Sequence, residues 1–225
     1  MLVFVGLMVL GVTVGAVTQS PLLDVDRVDI EGSSHTGGEA IRRVGRVEPG
    51  RLMLDVHPGP TARAIEALPW VERARVVRDW PGTVRVVITE RAPAAVIARP
   101  PGGYALVDAD GRVLRSVPTV PAGLLAVRNV RNPGPPGTTV TGKVRAAVAV
   151  AAAVPTGLRD RIEGVGVATD GFHLGIRGGG VVRLGGTDQL GAKLRAVLTV
   201  LTRVPARDLA ILDVRVPRAP VLTRR

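Results

Sequence analysis

Residues 71–90 read VERARVVRDWPGTVRVVITE, and this stretch decides the fold of the first half of the chain. From Thr83 to Glu90, Val84, Val86 and Ile88 take one face while Arg85, Val87 and Thr89 take the other, the period of a half-buried strand. Val71 to Asp79 is its partner, and Trp80-Pro81-Gly82 supplies the turn, with the proline φ preset and the glycine free to take positive φ. Working outward, Thr61 to Leu68 reads as a helix entered through Pro58-Gly59-Pro60 and halted at Pro69, and Glu39 to Val44 reads as another. Ahead of both, Val28 and Ile30 alternate with Arg27, Asp29 and Glu31 until Gly32-Ser33-Ser34 ends a first strand. The order strand, helix, helix, strand, strand is a small α+β unit. Arg73, Arg75, Arg78, Arg85 and Arg91 make its hairpin basic, either a solvated face or a patch for anionic lipid, wall polymer or an acidic partner.

Beyond Pro93 the texture changes. Tyr104 to Asp108 and Arg112 to Leu114 flank Ala109-Asp110-Gly111, a strong hairpin signal. Asn132 to Gly137 is a Pro-Gly loop, and Gly142 to Val154 is an Ala-rich helix ended by Pro155. Ile162 to Leu184 carries short apolar alternations among many glycines, which suits twisted hairpins. Thr187 is placed to cap a helix whose Leu190, Leu194, Val197, Leu198 and Leu201 form one apolar stripe for packing on the preceding sheet. A last strand follows, in which Ile211, Asp213 and Arg215 alternate with Leu212, Val214 and Val216 until Pro217 stops it. The expected second unit is therefore an antiparallel β domain with flanking helices, and nothing obvious pairs with the far side of its last strand.

Composition argues against most chemistries. The chain has no cysteine, which removes disulfides, thiolate metal sites and cysteine nucleophiles. Its three histidines, His35, His57 and His173, show no paired metal-ligand spacing, and none of its few serines lies in a G-x-S-x-G elbow. Asp108-Ala109-Asp110-Gly111 lacks the further ligands of a calcium loop, and no glycine run completes a phosphate cradle. No catalytic residue, cofactor or metal site is expected. The formal net charge of +11 rests almost wholly on arginine in an Ala-, Val-, Gly- and Pro-rich chain, a compositional bias rather than a nucleic-acid footprint. With two Trp, one Tyr and two Phe, stacking platforms for single strands are scarce, so no nucleic-acid partner is expected.

At the N-terminal end, Leu2 to Val17 runs sixteen residues without a charge, and the uncharged stretch continues to Ser20 before Pro21. At about 1.5 Å per residue this reaches about 25 Å, the short end for a membrane helix. The expected anchor presents Leu2, Phe4, Leu7, Leu10, Val14 and Val17 to lipid, preceded upstream by a basic cytoplasmic segment. A cleavable signal ending near Val14-Gly15-Ala16 and a buried core segment are the competing readings.

Several of these pieces fall in a telling order. Arg27-Val28-Asp29-Ile30-Glu31-Gly32, the step from Glu48 to Val56, Leu68-Pro69-Trp70-Val71-Glu72-Arg73-Ala74, Trp80-Pro81-Gly82-Thr83 and Glu90 to Ala95 resemble the POTRA domain of the bacterial cell-division family FtsQ/DivIB, of actinobacterial type. The resemblance continues through Leu106 to Gly111, Arg183-Leu184-Gly185 with Lys193-Leu194, and Ile211 to Pro217. It implies an anchor over 1–20, a POTRA domain over 25–93, an FtsQ-type β domain over 94–217 and a short tail over 218–225. It further implies a non-enzymatic divisome scaffold, single-pass in the cell membrane, with the bulk of the chain outside and concentrated at the septum. The partners it implies are FtsB/DivIC-like and FtsL-like proteins, with FtsW, FtsI and an upstream recruiter reached through the complex or the POTRA domain. Carried over by position, the receiving edge is Leu212, Asp213, Val214, Arg215, Val216, Pro217 and Arg218. An unpaired terminal strand is a physical template for strand addition, with Arg215 free to pair with a partner carboxylate and Val216 to fill a pocket. A POTRA-bearing secretion or assembly factor of the envelope is the alternative, and that reading calls for a long transmembrane barrel downstream.

Overall fold

A computed structural model describes residues 23–99, 101–130 and 132–225. The expected membrane anchor lies outside the described residues. Among those that are described, no helix is long and apolar enough to cross a membrane. The chain divides into two compact units, one ending at Arg91 and one beginning at Ala92.

The first unit runs β1 (Arg27–Glu31), α1 (Gly38–Gly45), a 3-10 turn (Met53–Asp55), α2 (Pro58–Glu66), β2 (Val71–Asp79) and β3 (Thr83–Glu90). Its sheet has the order β1-β3-β2, with β1 parallel and β2 antiparallel to the central strand. The alternation read from the sequence sets the faces: Val84, Val86 and Ile88 of β3 are buried, while Arg85, Val87 and Thr89 are exposed. The inward face meets Ile41 of α1, Met53 of the turn and Ile65 of α2, all fully buried. Each such side chain contributes about 1.5–3 kcal/mol of transfer free energy. At the end of β1, Gly32 sits at φ +78°, and a Cβ there would stand 2.1 Å from the Ile88 carbonyl oxygen, so no other residue fits the exit from this strand.

The second unit is one nine-stranded sheet with helices against it. Its strands are β4 (Pro93–Ala98), β5 (Tyr104–Asp108), β6 (Val113–Val117), β7 (Ala126–Arg128), β8 (Ile162–Ala168), β9 (Gly171–Ile176), β10 (Val181–Gly185), β11 (Leu209–Asp213) and β12 (Val221–Arg224). The helices are α3 (Gly142–Ala153), the single turn α4 (Thr156–Arg159) and α5 (Leu190–Arg203). The strand order is β12-β11-β10-β9-β8-β7-β4-β5-β6.

This sheet corrects the expectation of an antiparallel domain. The pairs β4–β7, β7–β8 and β10–β11 are parallel. Two of these follow from the helices themselves, because α3 and α4 lie between β7 and β8, and α5 lies between β10 and β11. A helix that crosses over the sheet returns the chain in the same direction, which a tight turn cannot do. The stripe on α5 packs as read, with Leu194, Val197 and Leu201 buried in one core with Val148 and Val150 of α3 and Leu174, Val182, Leu184 and Leu212 of the sheet. Thr187 does not cap α5. The helix starts after Gln189, whose φ is +50°, and the preceding loop is held from inside the helix by Lys193.

Candidate partner-binding edge

The strand that was expected to end the sheet does not end it. β11 stops at Asp213, before Pro217 is reached, and the chain turns over 216–219, where the Ala219 N–H donates to the Val216 carbonyl at 3.1 Å. It then returns as β12, antiparallel to β11, with Leu212 opposite Leu222 and Asp213 opposite Val221. The other side of β11 is parallel to β10. Residues 218–225 are therefore not a mere tail, and Leu212 and Asp213 are interior.

The candidate residues accordingly separate. Leu212 and Val214 are fully buried, and the Val214 N–H donates to the Arg183 carbonyl at 3.0 Å. Asp213 is half-buried and holds Arg215: Nε approaches Oδ1 at 3.1 Å and Oδ2 at 2.9 Å, and Nη2 approaches Oδ2 at 2.6 Å. The hydrogen bonds from Arg215 keep the Asp213 carboxyl below its ordinary range against the opposing effect of burial, and the same bonds raise the arginine. Arg215 is thus engaged within its own chain. Val216, at 62% exposure, and Arg218 project from the turn, and Val221 at the start of β12 is 63% exposed.

Among the described residues, nothing pairs with the outer side of β12. The opposite edge of the sheet differs. There the N–H and carbonyl of Val113 in β6 bond to Thr138 and Gly137, each at 2.8 Å, so a loop covers the start of that strand. In the first unit the outer edge of β2 is also partly closed, since the Ala74 N–H donates to the Glu66 carboxylate of α2 at 3.0 Å. β12 is the open edge of the second unit's sheet, four residues long, with Val216 and Val221 supplying apolar surface and Arg218, Arg224 and Arg225 supplying positive charge around it. The run Val221-Leu222-Thr223, rich in strand-forming residues, was its signal in the sequence.

Titratable groups also gather at the end of β3. Glu90, at the end of β3, accepts hydrogen bonds from the backbone N–H groups of Ser34 (3.0 Å), His35 (2.8 Å) and Thr36 (3.2 Å). Its second oxygen takes the Ser34 hydroxyl and faces His35 Nδ1, each at 2.7 Å. Burial alone would raise this carboxyl, but the bonds from His35 and Ser34 prevail and bring it down to about 2. The His35 ring lies flat on Trp70, centroids 3.9 Å apart. This cluster ties the β1–α1 loop to the sheet, a structural use of a histidine that its lone position in the sequence did not reveal. Among the described residues, no group of His, Cys, Asp and Glu is arranged to hold a metal ion.

A β-α-α-β-β unit with the sheet order β1-β3-β2 defines a POTRA-type domain, here joined to a mixed-sheet domain with an open terminal edge. The family model "POTRA domain, FtsQ-type" matches residues 23–91, and the model "Cell division protein FtsQ/DivIB, C-terminal" matches residues 95–215. The chain belongs to the FtsQ/DivIB family of bacterial cell-division proteins. It is similar to the cell division protein FtsQ of Streptomyces bingchenggensis, 30% identical over 208 residues that cover 91% of this chain and 77% of the relative. It is also similar to FtsQ of Mycobacterium tuberculosis, 29% identical over 223 residues that cover 99% of this chain and 68% of the relative. With FtsQ of Corynebacterium glutamicum it shares 30% identity over 107 residues, 48% of this chain and 47% of the relative.

Proposed function

We propose that this chain is a non-enzymatic scaffold of the divisome, single-pass in the cell membrane and placed at the septum, and that it receives a strand of an FtsB/DivIC-like partner, bound with an FtsL-like protein, on the outer edge of β12. The observation that carries the reading is the open edge itself: a ladder of unpaired main-chain groups offers hydrogen bonds to an added strand, while alternate side chains select it. The turn residues Val216, Pro217 and Arg218 flank this edge, and the arginines around it favour a partner segment with carboxylates. Leu212 and Val214 act one layer back, as the core on which the edge rests.

The test is a titration of the full chain in detergent with the extracytoplasmic segment of the FtsB/DivIC-like protein, comparing Arg224→Pro, Val221→Asp and Arg115→Glu. The Arg225 N–H donates inward to Asp208, so that of Arg224 faces outward, and a proline there removes a free-edge donor; the first variant is expected to weaken binding at least about tenfold with unchanged circular dichroism. The third, on β6 at the opposite edge, is expected to bind as the parent does. Equal affinity for all three would remove the β12 edge from the reading.

A further inference from the structure

In the first unit, the C-terminal end of α1 and the first turn of α2 enclose an open groove of about 430 Å3, with Val44, Arg46, Arg51, Asp55, His57 and Ala64 among its lining. Its geometry is set locally. Gly45 carries no side chain because a Cβ there would stand 3.0 Å from the Ile65 Cδ1 of α2, so the glycine serves helix–helix contact. The left-handed position that ends α1 falls instead to Arg46, at φ +53°. A bulky residue holds that conformation at a cost of about 1–3 kcal/mol, and Arg46 is among the residues lining the groove.

Neither Arg46 nor Arg51 has a side-chain partner among the described residues, and the Arg51 Nε is buried without an acceptor. A buried donor left unpaired is costly, and native structures seldom retain one without a reason. The groove has one carboxylate of its own, Asp55, against these two guanidinium groups. Its wall is also partly apolar: Val44, 37% exposed, lines it together with Pro60 and Ala64.

We propose that this groove binds an acidic, aliphatic peptide segment of another protein, with a carboxylate on Arg46 and Arg51 and a neighbouring aliphatic side chain against Val44. Charge complementarity selects the carboxylate, since two guanidinium groups without side-chain partners face the single carboxylate of the groove. The exposed valine selects a peptide over a phosphate polymer, which has nothing apolar to place there. This site lies wholly within the first unit and stands whether or not β12 receives a strand.

The probe is a fluorescein-labelled octapeptide of alternating Glu and Leu, followed by anisotropy against the full chain in a non-ionic detergent. Arg46→Gln with Arg51→Gln is expected to weaken it about tenfold, and Val44→Ser about threefold, as lost charge-assisted and apolar contacts respectively. Asp55→Asn is expected to tighten it about threefold, because a like charge leaves the site. Arg46→Gln alone, at an exposed side chain, gives the same direction without disturbing the half-buried Arg51. Unchanged affinity in Arg46→Gln and in the double variant, with circular dichroism intact, would overturn the proposal. So would equal binding of a second peptide with Ser in place of each Leu, displacement by polyphosphate or by phosphatidylglycerol in mixed micelles as effective as by unlabelled peptide, or a signal that follows self-association of the chain.

Discussion

Asp213 and Arg215, two residues apart, close a forked ion pair over the end of β11, with both carboxylate oxygens engaged and the Arg215 N–H also donating to Oδ1 at 3.0 Å. The pair fixes the direction in which the chain leaves β11 and so prepares the turn that brings β12 back. Arg215→Ala removes the group that holds the Asp213 carboxyl down, so its titration midpoint is expected to rise toward the ordinary aspartate value. A carboxyl lowered by folding stabilises the fold above its unfolded value and loses that contribution as pH falls. The variant should therefore lose part of the pH dependence of stability on the acid side. Carbon-detected NMR titration of Asp213 checks this; an unmoved midpoint would assign the shift to another group.

Glu90 makes a stronger pH prediction. Its carboxyl is brought from 4.5 to about 2, so it stabilises the folded state at all pH above about 4.5 and loses that contribution progressively as pH falls toward 2. Glu90→Gln keeps one acceptor oxygen but loses the charge that organises the Ser34–Thr36 loop, at an expected cost of about 1–3 kcal/mol at pH 7. The urea midpoint of the variant should converge on that of the parent as both are acidified, and parallel curves down to pH 2.5 would contradict the assignment.

Lys193 is fully buried, with Nζ 3.0 Å from the Gly186 carbonyl and 3.1 Å from Asp188 Oδ2, while the Asp188 side chain is 70% exposed. The asymmetry predicts unequal costs. Asp188→Ala strands an ammonium on one carbonyl and is expected to cost about 3 kcal/mol, whereas Lys193→Met leaves only a carboxylate that water can solvate and should cost less. Thermal unfolding of the two variants orders them, and the reverse order would show that Asp188 is not the lysine's principal partner.

Deleting residues 221–225 uncovers β11. Hydrogen exchange should then accelerate at the backbone of Leu209 to Asp213 while the protection of β4 and β5 is retained, and the truncated chain should self-associate through the newly opened edge. Unaltered exchange in β11 would mean that β12 contributes nothing to closing the sheet.

Much of this architecture could be read in the chain. Alternation at Val84, Val86 and Ile88 fixed which face of β3 is buried, and the stripe through Leu194, Val197 and Leu201 fixed which face of α5 packs. What escaped was governed by partners far away in sequence. The apolar run Pro93–Ala98 has no alternation because β4 lies inside the sheet, where Ala95, Val96 and Ile97 are all buried, and such runs carry no period. Pro217 falls in the turn after β11 rather than at the end of the strand, and a proline is silent on whether the chain comes back. The Glu90 cluster joins residues more than fifty positions apart, and the Arg46–Arg51 groove depends on which of two neighbouring residues takes the left-handed turn.

The brevity of β12 has a kinetic meaning. Four residues extend only about 13 Å, and at about 1 kcal/mol net for each new main-chain bond, an added strand of matching length gains roughly the free energy of a millimolar complex. A segment held by this edge alone would exchange rapidly. Lasting residence would have to come from avidity, through a second contact on the same molecule, so that the edge sets register while the tether sets lifetime.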